Sequence, residues 1–148
     1  MESPQNEAVF TNPFRDNAMP HIDIQLSGQA DAQLSREVSS QIARLTRDIL
    51  HKQPELIAIS IRYVPADAWW IDGRTLAETG HSSFYLGISI TDETNTKAEK
   101  ALYLEAVHQT MAGLLPRLHE VSYVHLIDAR AAAHGYGGKT QEFRHQHR

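Results

Sequence analysis

Arg62, Arg74 and Arg130 carry the planar, forked guanidinium that suits a carboxylate, although for each a surface or interface salt bridge is the stronger reading. Lys52 sits just beyond a helical run, where a cation is favourable whether or not it binds anything. Tyr123 and His125 lie two apart and so share one face of a strand, which puts a hydroxyl beside an imidazole. Trp69-Trp70 suits packing between subunits slightly better than a pocket wall. Nine histidines are present, but those in the tail, His145 and His147, lack a fixed helical spacing of metal-ligand type, so no metal site is expected. The absence of cysteine excludes a thiol nucleophile, a thiolate zinc site and a disulfide scaffold. Gly135-Tyr136-Gly137-Gly138 follows a strand without opening a helix, so it is no phosphate-binding loop. No cofactor is implied.

These groups belong to a chain of 148 residues, which favours one domain. With 41% apolar and 22% charged residues it can bury a core and remain soluble. No run approaches the roughly 18 apolar residues of a membrane-spanning helix, so no membrane association is expected. A net charge of −4 argues against nucleic acid as a partner. Lack of cysteine fits a reducing compartment, and a cytoplasmic protein is expected.

Residues 1–19 show no periodicity and no basic start before an apolar run, so they read as a flexible N-terminal extension rather than a secretory signal. Pattern begins at Met19-Pro20. From His21 to Leu26 the residues alternate, with Ile22, Ile24 and Leu26 on one face: a half-buried strand. Asp31 is placed to cap a helix whose stripe is Leu34, Val38, Ile42, Leu45 and Ile49. Leu56–Val64 reads as the second strand, and a polar linker runs through His81. Ser83–Thr91 is the third strand, Thr96 with Glu99 a capping box, and Leu104, Val107, Met111 and Leu114 a second helical stripe. Val121–Asp128 is the fourth strand.

The two halves repeat. Ile61–Arg74 aligns without a gap against Leu126–Lys139, so the domain at 20–148 divides into units of about 20–74 and 83–139. A helical crossover implies a parallel pair in each unit. The fold class is therefore α+β, a four-stranded mixed sheet with two helices on one face. The other face needs a cover, and a homo-oligomer supplies one economically.

Met-Pro at the first strand, Glu55–Pro65 (ELIAISIRYVP) and Tyr123–Gly138 (YVHLIDARAAAHGYGG) together resemble the tautomerase superfamily. The likeness is to 4-oxalocrotonate tautomerase-like members, in the fused layout of two β-α-β units seen in macrophage migration inhibitory factor. The resemblance implies a homotrimer, and a catalytic N-terminal proline freed by loss of the initiator Met. Here that residue is Pro20, and translation is expected to start at Met19. It further implies that Lys52 meets an acidic substrate, that the backbone amide of Ile90 touches it, and that Tyr123 and His125 reach the pocket from a neighbouring subunit. His125 stands where the family has Asn. Gln29 and Ala58 stand where 4-oxalocrotonate tautomerase has arginines, which disfavours a dicarboxylate substrate. The resemblance thus implies a cofactor-independent keto–enol tautomerase for a small enol or keto acid. A proline-dependent hydratase or decarboxylase, or a non-catalytic trimeric binding scaffold, are the alternatives.

Overall fold

The computed structural model describes residues 20–147, so the N-terminal extension expected at 1–19 lies outside the described residues. Strand β1 (His21–Ser27) is followed by helix α1 (Ala32–Leu50) and strand β2 (Ala58–Val64). A short hairpin, β3 (Trp70–Ile71) and β4 (Arg74–Thr75), leads into a single-turn helix α2 (Leu76–Thr79). The plan then repeats. Strand β5 (Phe84–Thr91), helix α3 (Lys97–Leu114) and strand β6 (Tyr123–Ala129) precede a second hairpin, β7 (Gly135–Tyr136) and β8 (Lys139–Thr140), and a last helix α4 (Gln141–Gln146).

The sheet runs β2-β1-β5-β6. Each unit supplies a parallel pair, β1 with β2 and β5 with β6, and the units join through the antiparallel pair β1–β5. Alternation decides which side is core. Ile22, Ile24 and Leu26 of β1 and Phe84, Leu86, Ile88 and Ile90 of β5 are fully buried. They meet Val38, Ile42 and Leu45 of α1 and Tyr103, Val107 and Met111 of α3, so both helices lie on one face. Asp31 caps α1 by accepting the Leu34 N–H at 3.1 Å, and Thr96 and Glu99 form the reciprocal box at the start of α3.

Three local readings are corrected. Leu56 is not in the second strand, because Pro54 opens a 3₁₀ turn over Pro54–Leu56 and the strand starts at Ala58. Leu104 is not in the core stripe of α3. It is 38% exposed, and its neighbour Tyr103 is fully buried, its hydroxyl paired with Thr46 Oγ1 of α1 at 2.8 Å. That partner makes a buried phenol tolerable. The linker through His81 also has structure of its own, since Thr75 and Glu78 form a second capping box around α2.

The opposite face of the sheet is open. Across it the register sets Ser60, Asp23, Gly87 and His125 in one row and Arg62, Gln25, Tyr85 and Tyr123 in the next. Tyr123 is 66% exposed. Tyr85 folds along its own strand, its hydroxyl 2.8 Å from where a Cβ on Gly87 would stand. Among the described residues no helix is long and apolar enough to cross a membrane.

Candidate functional site

Pro20 immediately precedes β1 and is buried, and its carbonyl accepts the Ala58 N–H at 3.3 Å. A proline suits a strand's first position because it has no N–H to leave unpaired. Since His21 pairs with Ser89, one further step in register sets Ile90 across from Pro20. Ile90 itself is fully buried on the helix side.

Lys52 arrives at the same end of the sheet from α1. His51 ends the helix in the left-handed region at φ 60°, and the Lys52 backbone N–H donates to the Thr46 carbonyl at 3.5 Å. The Lys52 side chain is only 2% exposed, so it is no solvated surface cation. Its Nζ donates to Thr94 Oγ1 at 3.1 Å, and that hydroxyl donates to the Thr91 carbonyl at 2.5 Å. Asn95 Nδ2 fastens the arrangement by donating to the Leu50 carbonyl at 3.0 Å and to Glu99 Oε1 at 3.1 Å. Thr91 and Thr94 are both buried.

Sequence reasoning did not single out His134. It lies just before β7, and its Nε2 is 2.9 Å from Thr91 Oγ1. Burial holds the imidazole below the ordinary histidine value. The residue lines an open cavity of about 260 Å³ together with Lys139 and Thr140. The available signal was the repeat itself, which aligns His134 with Trp69, in the stretch assigned to pocket or interface.

Tyr123 and His125 are not brought to this end. They open β6 on the uncovered face, opposite Tyr85 and Gly87, while the strand finishes beside Thr91. At about 3.3 Å per residue, Tyr123 is roughly 16 Å along the strand from Asp128, the residue facing Ile90. A single chain cannot bring Tyr123 to Pro20; a second copy could. Of the arginines, Arg62 pairs with Asp23 at 3.4 Å on the open face, as a surface ion pair. Arg74 and Arg130 are exposed. Trp70 is 62% exposed in the first hairpin. Among the described residues no cluster of three or more His, Cys, Asp or Glu could hold a metal ion.

No family model matches the chain, and no curated protein matches it. Solved structures do. A native fused 4-OT superposes with a TM-score of 0.72 at 19% identity, covering 83% of this chain and 97% of that one. A fused 4-OT described as a wild-type symmetric trimer gives 0.72 at 11% identity, over 82% and 96%. A macrophage migration inhibitory factor-like protein from Entamoeba histolytica gives 0.68 at 14% identity, over 82% and 98%.

Proposed function

We propose that this chain, which has the fused fold of the tautomerase superfamily, is a cofactor-independent keto–enol tautomerase of a small α-keto acid. Pro20 is its acid–base group once the proline nitrogen is a free secondary amine. In the enol-to-keto direction the amine takes the enol hydroxyl proton, and the resulting ammonium returns a proton to the neighbouring carbon as the carbonyl forms. A buried position disfavours the charged amine and brings its pKa toward the working pH, where a general base is most effective.

The observation that carries this reading is the Lys52 ammonium, buried and seated on Thr94 at the sheet end where Pro20 and Ile90 meet. A fixed cation there further disfavours protonated proline and draws in an anionic substrate. Tyr123 and His125 complete the pocket from a neighbouring copy in a homotrimer. Their position on the uncovered face supports this, as do the fused 4-OT relatives described as trimers. Sedimentation at micromolar concentration is expected to give a trimer, and a stable monomer would remove the shared pocket.

The same nitrogen in two bonding states provides the test. A form beginning at Pro20 is expected to ketonise phenylenolpyruvate, whereas the 148-residue chain, whose proline nitrogen is an amide, is expected to be nearly inactive. The gap should be of the order of ~10²–10⁴-fold, the usual contribution of a general base. Equal initial rates would eliminate the proline mechanism. A second reading rests on that amide: with Pro20 acylated, the chain is a non-catalytic trimeric binding scaffold. Absence of turnover in both forms would favour it.

A further inference from the structure

We infer that His134 is a positioning residue for the Lys52 ammonium, acting through Thr91 and Thr94, so that the second hairpin sets the cation of the proposed site. Three consecutive contacts connect them. His134 Nε2 meets Thr91 Oγ1 at 2.9 Å, the Thr91 carbonyl accepts from Thr94 Oγ1 at 2.5 Å, and Thr94 Oγ1 accepts from Lys52 Nζ at 3.1 Å. The two threonines are buried, which shields the Lys52–Thr94 and Thr94–Thr91 bonds from water, while the His134 contact on the Thr91 side chain fixes the residue whose carbonyl receives Thr94. Thr91 is the last residue of β5, and this imidazole is bonded to its side chain where the strand ends.

The imidazole is itself held in place. The His134 carbonyl accepts the Gln141 N–H at 2.9 Å, and the Ala131 carbonyl accepts the Glu142 N–H at 2.9 Å, which closes the hairpin onto α4. Arg144 lies 3.8 Å over the Tyr136 ring and donates to the Tyr136 carbonyl at 2.9 Å. Gly135 is required for this closure, because a Cβ there would run into the Lys139 carbonyl. The hairpin is therefore a rigid arm with the imidazole as its contact point. Displacing it releases Thr91, then the turn, then the seat of the ammonium.

Only the meaning given to Lys52 rests on the tautomerase reading; the bonds do not. The experiment uses the 148-residue chain labelled with ¹⁵N-lysine, with the Lys52 signal assigned by Lys52→Met. Hydrogen exchange at Nζ is followed in three variants. His134→Ala and Thr91→Val should each speed Lys52 exchange by about fivefold, the worth of one hydrogen bond, while His134→Gln, whose amide can donate or accept at similar reach, stays close to the parent. Thr91→Val keeps the carbonyl that receives Thr94 and covers the case in which His134→Ala fails to fold. Lys52 exchange unchanged in both disrupting variants overturns the inference. So does acceleration spread evenly over the amides of the whole sheet, which would mean general destabilisation. In the form with a free proline, His134→Ala should raise KM for phenylenolpyruvate about fivefold with kcat little altered, as expected for lost ground-state binding. Failure of every form to turn over refutes the tautomerase reading alone, and the exchange result then decides the positioning role.

Discussion

The two halves of the chain share a backbone plan and differ in what they place at its corners. Carrying the alignment of Ile61 with Leu126 back along the sequence pairs Val38 with Tyr103, Ile42 with Val107 and Thr46 with Met111, and all six are fully buried. The pair just beyond the helices diverges. Lys52 is buried on Thr94, whereas Arg117 is exposed, its backbone at φ 48°, and reaches the Thr79 carbonyl at 3.5 Å. The residue before β1 is Pro20, while before β5 stands Ser83, whose hydroxyl donates to the Val121 carbonyl at 2.9 Å. At the hairpins Trp69 is the counterpart of His134 in the alignment, and the histidine is bonded to the end of a central strand. Repetition thus supplies a core twice and a candidate site once. The second half bonds its own corner through Ser83, and its hairpin imidazole meets Thr91 at the end of β5.

The largest expected effect tests the shared part. Ile42→Ala should cost about 2–5 kcal/mol of unfolding free energy by chemical denaturation, as should Val107→Ala toward the lower end, because both leave cavities in one core. Leu104→Ala should stay within ~0.5 kcal/mol, since that side chain is at the surface. A large loss at Leu104 would break the register between the halves.

The corners come next. Lys52→Met should lower turnover of an enol acid by about 10–100-fold, equivalent to one charged hydrogen bond, while Arg117→Met changes it little. Stability of the lysine variant should fall by about 1–3 kcal/mol, because Met leaves Thr94 Oγ1 without the donor it accepts from. Equal kinetic effects at the two positions would mean that both corners bind substrate.

Smaller effects sharpen the comparison through pH. Burial pushes the Tyr103 phenol up to about 12, against the hydrogen bond with Thr46, which works the other way. The folded state therefore keeps its proton where the unfolded chain releases it, so this contribution is complete below pH ~10 and is lost as pH rises through that window. Tyr103→Phe should cost about 1 kcal/mol at neutral pH and abolish the alkaline loss. At the acid side, His134 has its folded value depressed by burial. Its contribution is present above the ordinary histidine pKa of about 6.5 and is lost as pH falls below it. His134→Gln should flatten that slope in a thermal melt series, and Trp69→Gln should leave it intact.

Much of the fold was legible because it depends on local rules. Alternation over His21–Leu26, the Asp31 cap and the Thr96–Glu99 box each need only neighbours to act. The α3 stripe was misread because Leu104 is apolar and Tyr103 looks amphipathic, yet the repeat register would have assigned the buried position to Tyr103, opposite Val38. The α2 box was equally open to view, as Thr75 with Glu78 has the spacing used to find the one at Thr96. The site was less legible. Lys52 is bonded to Thr94, 42 residues later, and Thr91 meets His134 across 43. No spacing rule spans such gaps, and only the folded sheet end brings these groups together.

The antiparallel seam between β1 and β5 has a consequence for how the molecule assembles itself. Its partners are about sixty residues apart in the chain, so the central pair can form only after a long loop has closed, at an entropic cost that local turns do not bear. Before that event each half offers just two parallel strands and one helix, too little to persist alone. Folding should therefore be a single cooperative event limited by that encounter. Amides of β1 and β5 should be the last to exchange with solvent. A chain severed between the halves should regain structure only when both pieces are present.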